Sequence, residues 1–280
     1  MPSATVPAAG PVGPGRTLSA LATAAHGGPT VAVTIVVALL ASAADLGAGA
    51  AVIVTAAVFC GQLTIGWGND LLDAARDRTV GRSDKPLADG RLSATLVRRC
   101  LVVAAAACVV LSFAAGWRSA VVHLCLCVAG GHAYNLGLKA TSLSWLPYAV
   151  AFGSLPAVVT LAGDAPEAPA WWMVGAAAAL GVGAHFLNAL PDLDDDLRTG
   201  VRGLPHRIGA TASRIAAVAL LVGASLVTVL GPAGTPSWGW AVLVVVAVLA
   251  AVALVGRGKV PFAAAVAIAL VDVAVLAVAA

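Results

Sequence analysis

Residues 69–90 read NDLLDAARDRTVGRSDKPLADG. This stretch carries five aspartates (Asp70, Asp73, Asp77, Asp84, Asp89) and four bases (Arg76, Arg78, Arg82, Lys85), and it follows directly on an apolar run. The chain around it, 280 residues long, is 60% hydrophobic and only 10% charged. So dense a polar segment at the end of an apolar one marks both a helix leaving a membrane and a place where chemistry is concentrated.

A mean hydropathy of +0.97 with long runs of Ala, Val and Leu belongs to membrane proteins rather than soluble ones. A spanning helix needs about 20 mainly apolar residues. That ruler gives nine expected spans, at about 20–43, 49–67, 94–115, 119–136, 142–162, 169–189, 211–231, 237–255 and 260–279. Lys and Arg collect in cytoplasmic segments. With nine spans and the N-terminus inside, every base except Arg118 falls on the inner side, 15 of the 16 in the chain. The expectation is a multi-pass protein of the cell membrane, with its N-terminus and active site facing the cytoplasm. Residues 1–17, rich in Pro, Ala and Gly, lack the order of a secretory signal and read as a disordered tail preceding a membrane domain over 18–280. The five cysteines show no metal-ligand spacing and read as small core residues. A net charge of +3 implies no bulk attraction to nucleic acid.

The charged stretch has a partner. Asn69, Asp73, Asp77, Gly81, Pro86 and Gly90 match Asn188, Asp192, Asp196, Gly200, Pro205 and Gly209, each pair separated by 119 residues (188 − 69) without a gap. The offset spans an even number of expected helices, so orientation is kept. This gives an all-α membrane fold: nine transmembrane helices in a bundle, as two parallel four-helix repeats plus one helix. Packed face to face, the repeats bring both acidic segments to one cavity.

Asn69, Asp73 and Asp77 recur every four residues, along one helical face and about 6 Å apart along its axis; the second copy is expected to repeat this with Asn188, Asp192 and Asp196. Carboxylates at this spacing repel one another, a cost that a bound cation removes. Oxygen ligands suit hard divalent ions, and Mg²⁺ binds through one or two carboxylates while keeping positions for phosphate oxygens. Arg78, Arg82, Lys85, Arg202 and Lys139 supply cations for a diphosphate, whose departure they ease by stabilising the developing charge. His132 and Asn135, with Lys139, share a face of the fourth span, and His185, Asn188 and Asp192 share one of the sixth. Trp67 and Phe186 stand just inside the membrane from the two asparagines, as cation shields or interfacial anchors. Asp272 stands alone in the last span.

The pattern Asn69-Asp70-x-x-Asp73-x-x-x-Asp77 followed by Lys85-Pro86-Leu87 and Gly90, with a later Asp192-x-x-x-Asp196 leading to Gly200 and Leu204-Pro205, resembles the UbiA superfamily of intramembrane prenyltransferases. The resemblance runs from the first span to the last. It implies that Asp70, Asp73, Asp77, Asp192 and Asp196 bind Mg²⁺, and that these carboxylates with Asn69, Arg78, Arg82, Lys85, Tyr134, Lys139, Asn188 and Arg202 hold an isoprenyl diphosphate. The donor's tail then lies toward membrane lipid, and its allylic cation is attacked by a lipophilic or aromatic acceptor. The second motif carries two further acids, Asp194 and Asp195; the repeat favours Asp192 and Asp196. A membrane terpene cyclase would use the same diphosphate site. A cation transporter would place its acids near the bilayer midplane, unlike these.

Overall fold

The computed structural model describes residues 13–231 and 238–279. Among them the structure is all helical, without strands. α1 (Pro14–Ala24), α2 (Gly27–Ala43), α3 (Ala48–Thr79) and α4 (Ala94–Ala114) come first. α5 (Trp117–Val122) runs through a π-helical segment (His123–Val128) into α6 (Ala129–Asn135). After a single 3₁₀ turn (Leu138–Ala140) follow α7 (Leu146–Thr160) and α8 (Trp171–Ala189), another 3₁₀ turn (Leu190–Asp192), and α9 (Leu193–Arg198). α10 (Leu204–Leu230), α11 (Gly239–Val255) and α12 (Val260–Ala279) complete the bundle.

Each expected apolar stretch is helical, but the elements are not uniform rods. Among the described residues four helices are long and apolar enough to cross a membrane, or five if the bent pair α1 and α2 is one span. α7 and α11 are shorter apolar helices, and the π-helical turn interrupts the stretch from 117 to 135. Apolar side chains turned outward, such as Val102, Val103, Val110 and Phe113 on α4, are what a lipid-facing surface requires: tails solvate them as well as a core would.

Two expectations are corrected here. The first span is not one helix: α1 and α2 meet at 71°, with His26 between them in the left-handed region (φ 53°). The expected tail also ends earlier, because α1 starts at Pro14, whose fixed φ suits a first helical position; residues 1–12 of that tail lie outside the described residues.

Three hydrophobic clusters hold the bundle. One joins α8, α10, α11 and α12, the second joins α2, α3 and α7, and the third seats α1 and α4 on α3. α3 packs chiefly on α4, α8 lies between α7 and α10, and α12 closes against α2 and α11. The corner between α1 and α2 is seated on α3 by two neighbouring residues. Trp67 Nε1 donates to the Leu21 carbonyl at 3.0 Å, so this tryptophan is a structural anchor for α1. Gly66 lets the chain at Ala25 pass so closely that a Cβ would lie 2.4 Å from the Ala25 oxygen.

That contact is testable. Gly66→Ala forces backbone apart and is expected to cost about 1–3 kcal/mol, the usual penalty of overpacking, lowering the thermal midpoint of the detergent-purified protein. Gly175→Ala, where a Cβ meets nothing within 4 Å, should leave it unchanged. Equal midpoints for the two variants would contradict the seating role of Gly66.

Candidate functional site

α3 is 32 residues long, about 48 Å at 1.5 Å per residue, against a hydrocarbon core of about 30 Å. Its last three turns therefore carry Asn69 to Thr79 beyond the apolar region on an unbroken helix. Asp70, Asp73 and Asp77 all lie on the buried face of these turns, at 1%, 8% and 3% exposure. Charges this buried persist only when paired, and each has a cation near it. Lys85 Nζ donates to Asp70 Oδ1 at 2.7 Å. Lys139 Nζ, from the short turn after α6, donates to both oxygens of Asp73 at 2.7 Å. Arg76 Nη2 donates to Asp73 Oδ2 at 3.0 Å, and its Nε lies 3.7 Å from Asp77 Oδ1.

Asn69 is the hub of this first jaw. Its Nδ2 donates to Asp73 Oδ2 and to Asn135 Oδ1, both at 3.1 Å, and Asn135 Nδ2 donates in turn to the Ile65 carbonyl at 3.0 Å. On its other side His26 Nε2 stands 3.2 Å from Asn69 Oδ1 and 3.5 Å from Asp70 Oδ1. Lys85 Nζ stands 3.3 Å from the same nitrogen, so His26 Nε2 lies among two acceptor oxygens and one donor ammonium and serves one or the other according to its tautomer. The strained turn between α1 and α2 thus places an imidazole over the motif, and strain of this kind gathers where a side chain must be held for a purpose.

The second jaw is built differently from the expectation. In place of a helix carrying Asn188, Asp192 and Asp196 on one face, α8 ends at Ala189, a 3₁₀ turn follows, and α9 starts afresh at Leu193. Pro191 is the cause: it offers no N–H to the carbonyl four residues back, and its ring crowds that turn. The first copy has Leu72 at this position and continues. As a result Asn188 is exposed and, among the described residues, its side chain makes no hydrogen bond, unlike that of Asn69. Asp192 receives Arg82 Nη1 at 3.3 Å across the gap between the motifs, and Asp196 Oδ2 lies 3.3 Å from His206 Nε2. Arg76 and Tyr134, neighbours of Asp73, both lie within electrostatic reach of Asp196. Asp194 is exposed, and Asp195 pairs with Arg198 at the surface, so Asp192 and Asp196 are the acids of this motif that face the first.

The joined glycines of the two copies share a backbone conformation. Gly81 and Gly200 end their acidic helices at φ 73° and 83°, and Gly90 and Gly209 both stand at φ 83°, where any other L-residue is strained. Between the first pair, the loop is anchored by buried Pro86 and Leu87 and by Arg78 Nη1, which donates to the Leu87 carbonyl at 3.4 Å. Arg202 is exposed, and only its carbonyl is engaged, by Arg207 Nε at 2.9 Å.

Behind the jaws stands an aromatic wall. Tyr134 meets Tyr148 edge-on at 5.2 Å and His185 at 5.7 Å, while Tyr148 stacks on His185 at 4.5 Å. His185 Nε2 shares a hydrogen bond with Ser144 Oγ at 3.1 Å, and that hydroxyl accepts from the Leu204 amide at 2.9 Å. This ties α8 to the start of α10. Asn135 and His185 lie where the sequence points; His26, Arg76 and His206 as site residues were missed. Arg76 sits three residues past Asp73, a spacing that pairs them on any helix, whereas nothing in the sequence signals the fold that brings in His26 and His206.

The donor set is one of carboxylate and amide oxygens, with Asp70 Oδ2 buried and without a partner. Such oxygens suit a hard divalent cation. Among the described residues no group of three His, Cys, Asp or Glu forms a closed metal cage; lysine and arginine stand between the acids instead.

The UbiA prenyltransferase family profile matches residues 30–275. No curated protein gives a significant match to the sequence. Among solved structures, the apo UbiA homologue from Aeropyrum pernix K1 superposes with TM-score 0.71 at 20% identity, over 96% of this chain and 99% of that one. The UbiA homologue from Archaeoglobus fulgidus bound to GPP and Mg²⁺ gives 0.67 at 15% identity, over 92% and 99%. A digeranylgeranylglyceryl phosphate synthase gives 0.61 at 17%, over 93% and 96%. At these identities the likeness concerns the fold.

The loop between the jaws yields a pH prediction. A hydrogen bond from Arg82 holds the Asp84 carboxyl down at about 2, from an ordinary 3.8. A lowered folded value means that the pair's contribution is complete above the ordinary value and is lost as pH falls through the folded one. Protease sensitivity of residues 80–92 should therefore stay constant from neutral pH down to about 4 and rise only as pH approaches about 2. A rise between pH 7 and 5 would show that this pair does not hold the loop.

Proposed function

This chain belongs to the UbiA prenyltransferase family, and from that premise we propose that it transfers an isoprenyl group from an isoprenyl diphosphate to a lipophilic or aromatic acceptor. The observation that carries this reading is the interleaving of acids and bases: Lys85 on Asp70, Lys139 and Arg76 on Asp73, Arg82 between Asp84 and Asp192. A site for a metal-bridged diphosphate needs both signs within a few ångströms, acids for the cation and bases for the phosphate oxygens. The Archaeoglobus relative is seen with GPP and with DMAPP, each with Mg²⁺, which supports an isoprenyl diphosphate as donor here.

In this reading Asp70, Asp73, Asp77, Asp192 and Asp196 would hold Mg²⁺, which when bound supplies positive charge to the diphosphate. Lys85, Lys139, Arg78 and Arg82 contact its oxygens, and Arg202 stands at the exposed margin. Asn69 keeps Asp73 oriented, held on one side by His26 and on the other by Asn135. The allylic C–O bond breaks with its electron pair leaving on the diphosphate, whose charge the lysines and arginines stabilise as it develops. The aromatic wall of Tyr134 and Tyr148 offers ring faces to the electron-poor carbon and helps to exclude water. The acceptor's electron pair closes the new bond, and its proton leaves with the diphosphate.

The same reading covers the wider architecture: a membrane domain from α1 onward, nine crossings in two parallel repeats plus one helix, and both jaws on the cytoplasmic side of the cell membrane. The matched left-handed glycines support the repeat, and the gathering of 15 of the 16 bases on one side supports the orientation.

Purified protein given geranyl or farnesyl diphosphate, Mg²⁺ and a hydroxybenzoate or naphthoate acceptor should release diphosphate and form a prenylated product. Asp73→Ala and Asp192→Ala should each lower that rate by at least about 100-fold, the scale of losing a preorganised charge, with size-exclusion profiles unchanged. Wild-type turnover in either variant would sink the assignment, and equal diphosphate release with a cyclised hydrocarbon when acceptor is left out would replace transfer by cyclisation.

A further inference from the structure

At the opposite end of α8 from the second acidic motif lies a cavity bounded by α2, α7, α8, α10 and α12, almost wholly apolar, with one carboxyl in its wall. Asp272 is 1% exposed. Ser225 Oγ lies 2.9 Å from its Oδ2 and 3.1 Å from the Leu221 carbonyl, and the hydroxyl's one hydrogen serves only one of them. Whichever it serves, Asp272 Oδ1 is buried with no hydrogen-bond partner among the described residues. No Lys, Arg or His lines the cavity, and no cation pairs with Asp272 among the described residues. A polar group left unpaired inside a membrane bundle is costly, and it is kept where it meets a ligand.

Phe152 and Pro156 line the cavity from α7, and beyond the Asp272 carboxyl its wall is almost wholly hydrocarbon. Phe152 also separates it from the diphosphate site, stacking on Tyr148 at 6.1 Å.

We propose that this cavity is a binding site for an apolar molecule carrying one hydroxyl, alcohol or phenol, whose O–H donates to Asp272 Oδ1 while its hydrocarbon packs against α7 and α8. The site does not depend on the diphosphate chemistry, since none of its residues belongs to the two acidic motifs. A hydrocarbon tail alone would leave Oδ1 unpaired, which is the distinction that a test must make.

The probes are a diazirine-bearing long-chain primary alcohol and the same chain ending in methyl, photo-crosslinked to the full-length protein in lipid nanodiscs without metal or donor. Peptides from α7, α8 and α12 should take up the alcohol roughly fivefold or more over the hydrocarbon, the ratio one net hydrogen bond provides. Asp272→Leu should remove that preference, whereas Asp272→Asn, which keeps an acceptor oxygen, should retain it. Asp73→Ala should label like the wild type. Equal labelling by the two probes in the wild-type protein would overturn the proposal without any variant being made. So would a preference that survives Asp272→Leu, or one that disappears in Asp73→Ala, which would move the hydroxyl to the diphosphate site.

Discussion

Burying carboxylates is the constraint on which the rest of this molecule depends. Asp70, Asp73 and Asp77 have almost no exposure, and no such group stays charged in an apolar bundle without cations and hydrogen-bond donors around it. The lysines and arginine that answer the first two come from three parts of the chain: Arg76 from α3 itself, Lys85 from the following loop, Lys139 from beyond α6. The need to neutralise the acids therefore fixes where the loop folds and how α6 ends. The most expensive groups of the fold are thus satisfied by bringing those segments together.

The surrounding elements serve that arrangement. Gly66 and Trp67 hold the corner of α1 and α2 against α3, and the corner holds His26 over Asn69 and Asp70. Ser144 joins His185 to the start of α10, so the aromatic wall is tied to the helix that follows the second motif. Arg82 reaches from the loop of the first motif to Asp192 of the second. Both jaws are thus tied to each other and to the bundle before any ligand arrives, and less entropy remains to be lost on binding.

Much of this was legible beforehand. Hydropathy located the apolar helical stretches, because an apolar run of that length has no other use in such a chain. The asparagine and acids recurring at a fixed offset, with bases near each copy, pointed to one site. The helix interruptions were not legible in the same way. Pro191 could have warned that α8 would break, but a proline in one copy of a repeat does not say which way the chain turns next. The bend at His26 carried no local signal beyond Gly27 and Gly28, for it is decided by a notch on another helix. The exposure of Asn188 follows from the first of these breaks, so the symmetry of the motifs in sequence overstated their symmetry in space.

By itself, the sequence determined the solvent of this protein, the apolar segments that are helical, and where its charged residues concentrate, because hydrophobicity and charge are properties each residue carries with it. Only the tertiary structure decided which base answers which acid, that His26, Arg76 and His206 join the site, and that Asp272 stands unpaired in an apolar cavity. Those are relations between residues tens of positions apart, and they exist only when packing brings helices within hydrogen-bonding distance.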